Sequence, residues 1–140
     1  MIKSFGLLIL RISIGTMLIH HGYEKTADIQ NFADAFVRPI GIPFPILASY
    51  IAAYSEIYGS WLLIVGLFTR FAALSIVGTI GVAIYHAIVT AGFNIYLLEL
   101  LVLYMGGALC ILLLGGGDFA LDIFLRKFGI KFNRPHLPFE

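Results

Sequence analysis

Six ionisable side chains sit where a chain that is 60% hydrophobic and only 12% charged would not be expected to hold them: Arg11, His21, Lys25, Glu56, His86 and Glu99. Each falls within or at the end of a long apolar run. A charged group at membrane depth is costly and usually faces the bundle interior with a partner. At about 100° per residue, Arg11, Gly15, Leu18, Gly22 and Lys25 share one helical stripe. His21 flanks that stripe, and His20 lies on the far side at headgroup level. Thr79, Ala83, His86 and Thr90 form a small or polar face on another stretch. Glu99, Leu103, Gly106 and Cys110 align on a fourth. The expectation is an outward-opening polar cavity holding His21, Lys25, Glu56, His86 and Glu99. Arg11 lies about 9 Å from one edge of its stretch and Glu56 about 15 Å from the opposite edge of its own. In a slab of about 30 Å these depths nearly meet, so an Arg11–Glu56 ion pair is expected to join the first two helices.

Imidazoles and carboxylates near an interface suit proton exchange and hydrogen bonding to a small polar headgroup. A quinone site needs donors to its carbonyls, a proton route and an apolar slot, and this set would serve, with Lys25 as donor and Glu99 or His86 as relay. A bis-histidine haem on His21 and His86, or a metal on His21, His86, Glu56 and Glu99, has allowable ligands but no supporting spacing, so neither is assigned. The one cysteine, Cys110, excludes an intramolecular disulfide, a CxxC pair and a cysteine-ligated zinc. No phosphate-binding loop, dinucleotide fingerprint, serine nucleophile or zincin motif is present.

These residues hang on a membrane framework. The mean hydropathy is +0.96. Four apolar stretches, residues 5–23, 46–68, 71–91 and 96–115, approach the roughly 20 residues that cross the hydrocarbon core. The first follows Lys3 like a signal peptide, but Arg11 interrupts it and no small-residue cleavage site follows, so it reads as an uncleaved helix. Residues 28–37 alternate as a short amphipathic helix on the outer membrane face. Pro39, Gly41, Pro43 and Pro45 then break the helix and stiffen the re-entry. VGLFTRFAAL and AGFN make tight turns. No linker divides the chain, which reads as a single domain over 1–140. The fold expected is all-α: an antiparallel four-transmembrane-helix bundle with a short outer amphipathic helix and a basic tail over 118–140. Lys3, Arg70, Arg126, Lys127, Lys131 and Arg134 place both termini in the cytoplasm. A net charge of +1 gives no reason to expect nucleic acid. The absence of a transit peptide favours a bacterial plasma membrane.

LLILRISIGTMLIHHGYEK, IAAYSEIYGSWLLIVGLFTRFAAL and LLLGGGDFALD together resemble the DoxX family of small four-helix membrane proteins. His21, Gly22 and Lys25 fall on the family's HG..K, Glu56 on its helix-two acid, Arg70 on its hairpin arginine and Asp122 on the acid after the glycine-rich exit. The resemblance implies a membrane redox system, such as the small subunit of a thiosulfate:quinone oxidoreductase or a complex that counters thiol or oxidative stress. With one cysteine and no cofactor motif, the chain is not expected to perform a multi-electron oxidation alone. The functional expectation is therefore a membrane subunit of a quinone-linked oxidoreductase system, with no intrinsic cofactor, quinone as ligand, and a redox partner subunit or a second copy beside it in the bilayer. Its rivals are a non-enzymatic anchor or assembly subunit, and a small-solute carrier.

Overall fold

The structure is a computed structural model that describes residues 1–128; the expected continuation of the basic tail, with Lys131 and Arg134, lies outside the described residues. Those residues form helices and turns and no strand. Helix α1 spans Ile2–Ala27, α2 Ile29–Phe32, α3 Pro45–Val65, α4 Thr69–Ala91, α5 Ile95–Leu114 and α6 Leu121–Lys127. Between α2 and α3 come a π-helical turn, Ala33–Val37, and a 3-10 turn, Arg38–Ile40. Helices α1, α4 and α5 are each long and apolar enough to cross a membrane. Helix α3 carries Ser49, Ser55, Glu56 and Ser60. It makes a fourth span only together with Ile29–Ile40, from which it bends by 108°. The protein is thus a membrane protein with three to four spans.

Helix α1 runs past the expected residue 23 through the polar HHGYEKTA, because a helix's backbone bonds are internal and do not depend on side-chain polarity. Its buried residues include Arg11, Gly15, Leu18 and Gly22, the stripe read from the sequence. That stripe packs on α3. A methyl group at Gly15 would lie 2.9 Å from the Ser60 carbonyl, and one at Gly22 2.9 Å from that of Ala53. The pairing therefore descends α3 as it climbs α1, with the backbones close enough that only glycine fits. Ile14, Leu18, Leu63, Ala72, Ala73, Ile76, Ile80, Ala108 and Ile111 form the core that joins α1, α3, α4 and α5.

The face expected to turn inward on α5 turns outward. Glu99, Leu103, Gly106 and Cys110 are all exposed, while Leu98, Ala108 and Ile111 are buried. The α5 sequence is apolar all round, so periodicity could not choose a side. Lipid is as apolar as a core, and packing shape decides.

At the end where α3 gives way to α4, a polar knot replaces the expected Arg11–Glu56 pair. Arg11 is completely buried and donates from Nη1 to the Leu63 carbonyl and from Nη2 to that of Phe119, both at 3.2 Å. The Asp122 carboxylate supplies its counter-charge. Asp122 also caps α4 from across the chain, accepting from Phe68 N at 2.8 Å, Thr69 N at 3.0 Å and Thr69 Oγ1 at 2.8 Å. The Asp122 N–H donates back to Gly66 O at 3.0 Å. Gly66 ends α3 at φ +78, and a methyl group there would fall on Arg11 Nη1 and Ala120. Ser4 donates to Asp118 and Arg70 to the Leu113 carbonyl, which closes the knot around three chain segments. Arg11 turns from Glu56 to nearer backbone carbonyls at its own end, which take Nη1 and Nη2 and leave Nε buried without a partner.

Candidate functional site

At the other end of α1, a cavity of about 950 Å³ lies among α1, α3, α4 and α5. His21, Lys25, Glu56 and His86 all line it, so four of the five residues grouped from the sequence do come together. Glu99 does not: it is exposed on the outer side of α5 and outside the cavity. The α4 face read from the sequence is present in full, since Thr79, Ala83, His86 and Thr90 all border the space.

Glu56 is the best-buried ionisable group of this set, 2% exposed. Lys25, two turns beyond Leu18 on the buried stripe, reaches across to it and forms the ion pair that Arg11 was expected to make. The Lys25 ammonium also stands 5.3 Å from the centre of the Phe32 ring, a cation–π distance. Lys25 occupies Glu56 Oε1 only. Oε2 has no hydrogen-bond partner although it is buried. A buried carboxylate oxygen left without a donor is costly, so this atom marks where a ligand's donor would be welcome.

The segment expected as an outer amphipathic helix covers this cavity. Phe32, Phe36 and Val37 line it, and Ala33 and Val37 are buried. The rings of Phe32 and Phe36 stack at 5.1 Å, and Phe36 sits 5.1 Å from the His86 ring. His86 Nε2 lies 3.3 Å from the Ala35 carbonyl, which ties α4 to the π-helical turn. An apolar stripe looks the same whether it meets lipid or protein, so the amphipathic pattern predicted the helix but not what it covers. Pro39 is accommodated in the 3-10 turn and Pro45 opens α3, where its missing N–H is not needed.

Sequence reasoning also missed Tyr96 and Tyr104 of α5 and Ser55 of α3, which line the same space. Phase alone placed α5 the wrong way round; Tyr104, polar-tipped and away from the Glu99 stripe, was the available signal. The lining is otherwise mainly aliphatic and aromatic, with Leu18, Ile51, Ile80, Leu97, Leu100 and Leu101 among its residues. Three carboxylates, Glu24, Asp28 and Glu56, face one ammonium, Lys25. Chemically, the site offers a buried acceptor, a fixed ammonium, two imidazoles and hydroxyl groups in an apolar slot.

Residues 6–91 match the family model described as DoxX. The match includes α1, the covering segment, α3 and α4, and with them His21, Lys25, Glu56 and His86. A Haemophilus influenzae protein described only as uncharacterized is 33% identical over 132 residues, covering 89% of this chain and 86% of its own. The inner membrane protein YphA of Escherichia coli is 34% identical over 79 residues, 56% of each chain. No solved structure matches.

Proposed function

The chain belongs to the DoxX family, and from that premise we propose that it is the membrane subunit of a quinone-linked oxidoreductase system whose cavity receives the quinol headgroup. The observation that carries this reading is the unpartnered Oε2 of Glu56, a buried acceptor on a residue that lines a mainly apolar cavity. A quinol hydroxyl would donate to it. The Lys25 ammonium beside it and the tyrosine and serine hydroxyls would meet the ring's other oxygens. The aliphatic lining would take the tail. A volume of about 950 Å³ lies within the range of sites for ligands of that size. The excess of carboxylates in the lining favours a neutral ligand over a dianion such as thiosulfate, so an oxyanion donor would be handled by a partner subunit.

In this reading the four helices α1, α3, α4 and α5 cross the membrane as an antiparallel bundle. Lys3, Arg70, Arg126 and Lys127 gather at the knot end, which supports a cytoplasmic position for both termini and an outward position for the cavity. His86 and His21 would exchange protons with Glu56 through the bound headgroup, and Glu99 has no part in it. A second reading, an assembly subunit, is favoured by the outward stripe Glu99, Leu103, Gly106 and Cys110, which a partner helix could cover.

Labelling with an azido-quinone in native membranes tests the proposal. Adducts are expected on peptides containing Phe36, His86 or Tyr104, reduced by unlabelled quinol and lost in Glu56→Gln. Labelling confined to residues outside the cavity, or unchanged in that variant, would refute it.

A further inference from the structure

The last turns of α1 bring three donor side chains together that neither the cavity's ion pair nor the bundle core uses. His20 and Glu24 are one helical turn apart, and His21 is three residues before Glu24. The ring centres of His20 and His21 are 4.1 Å apart, although helical phase alone separates them. His21 Nδ1 lies 3.4 Å from Glu24 Oε2. One ligand atom from each of the three lies within 4.8 Å of the others.

These distances can be compared with what an ion requires. A tetrahedral zinc holds nitrogen and oxygen ligands at about 2.0–2.1 Å, which sets its donors about 3.3–3.4 Å apart. The His21–Glu24 separation already has that value. The third donor needs to close by about 1 Å or a little more, which rotation of the exposed His20 and Glu24 side chains can supply. Two imidazoles and a carboxylate suit zinc, cobalt, nickel or copper, whereas calcium and magnesium prefer all-oxygen shells. A second observation points the same way. His21 and Glu24 also line the cavity, where Asp28 and Glu56 add two further carboxylates against the one ammonium of Lys25. The local field therefore draws cations toward this end of α1.

We propose that His20, His21 and Glu24 form a binding site for a divalent transition-metal ion at the edge of the cavity. Three protein ligands leave a fourth position open at the rim where His21 and Glu24 border the cavity. All three ligands lie on α1, and although His21 is shared with the quinol reading, the metal site stands whether or not the cavity binds a quinol.

The test uses the full chain in detergent, purified without a histidine tag, stripped with a chelator and titrated with Co2+ alone. Visible ligand-field bands of tetrahedral cobalt are expected to saturate at one ion per chain and to be bleached by Zn2+. Losing an outer hydrogen-bond partner of a metal ligand already weakens binding by about 10–100-fold, so His20→Ala and Glu24→Gln should each weaken Co2+ binding at least about tenfold. Both residues are exposed, and neither substitution disturbs the core. Glu99→Gln, on the outer side of α5, should leave the titration unchanged. Absence of ligand-field bands at stoichiometric cobalt, or bands that persist unchanged in His20→Ala and Glu24→Gln, would overturn the proposal.

Discussion

Removing either partner of the Lys25–Glu56 pair should destabilise the protein unequally, and the inequality can be worked out from burial. Lys25→Met removes the one partner of Glu56, which is 2% exposed in the parent protein, and leaves both of its oxygens unpartnered. Stranding a buried charge in this way costs about 3–5 kcal/mol, or roughly two to four orders of magnitude in the unfolding equilibrium. Glu56→Met strands a different group. The Lys25 side chain is 17% exposed, stands over Phe32 and lies near the end of α1. It can turn its ammonium toward the interface, so the loss should be about 1–2 kcal/mol. The double variant Lys25→Met with Glu56→Met removes both charges and fills the space with side chains of similar length. It should return to within about 1 kcal/mol of the parent protein, because replacing a buried pair by apolar groups is often neutral. Reversible unfolding in mixed micelles, followed by circular dichroism, would measure all four proteins as a double-mutant cycle. A Glu56→Met loss as large as that of Lys25→Met, or a double variant as unstable as the sum of the singles, would refute the reasoning.

The knot at the opposite end makes its own predictions. Asp122→Ala removes three hydrogen bonds from the start of α4 and the counter-charge of Arg11, and should cost about 2 kcal/mol or more, read as a lower melting temperature. Gly66→Ala combines a left-handed backbone with a side chain falling on Arg11 and Ala120, and should destabilise by at least about 1–3 kcal/mol in the same assay. Since Arg11 and Glu56 share no partner, the losses from Arg11→Leu and Glu56→Met should add within about 0.5 kcal/mol, whereas a direct ion pair would make them strongly non-additive. Phe36→Ala opens the cover over the cavity. It should speed release of an azido-quinone's reversible parent and leave thermal stability nearly unchanged, because Phe36 is already about half exposed.

Much of this arrangement was legible in the sequence, and what was not has physical reasons. Small residues on one stripe of α1 marked the face that meets α3, since only close backbone approach explains glycine at positions 15 and 22. Thr79, Ala83, His86 and Thr90 marked the cavity face of α4 in the same way. On α5 the method failed, because a helix that is apolar all round carries no phase, and Glu99 was drawn inward by its charge alone. Depth arithmetic brought Arg11 near Glu56 but could not see that Leu63 O, Phe119 O and Asp122 wait at its own level. Those partners come from the end of α3 and from the loop before α6 and its first turn, more than fifty and a hundred residues away. The covering role of Phe32 and Phe36 was hidden for a similar reason. Their apolar stripe is equally suited to lipid and to a protein cavity, and the residues it meets across the cavity come from helices distant in sequence.

The central claim is that the cavity around Glu56 holds a lipid-soluble headgroup that donates a hydrogen bond. Its most direct test is mass spectrometry of the lipid-soluble molecules that stay with the chain after gentle detergent extraction from native membranes. Wild-type protein is predicted to carry quinone or quinol near one molecule per chain, and folded Glu56→Gln protein to carry at least about tenfold less. Wild-type protein free of quinone, or a Glu56→Gln protein that retains it in full, would contradict the claim.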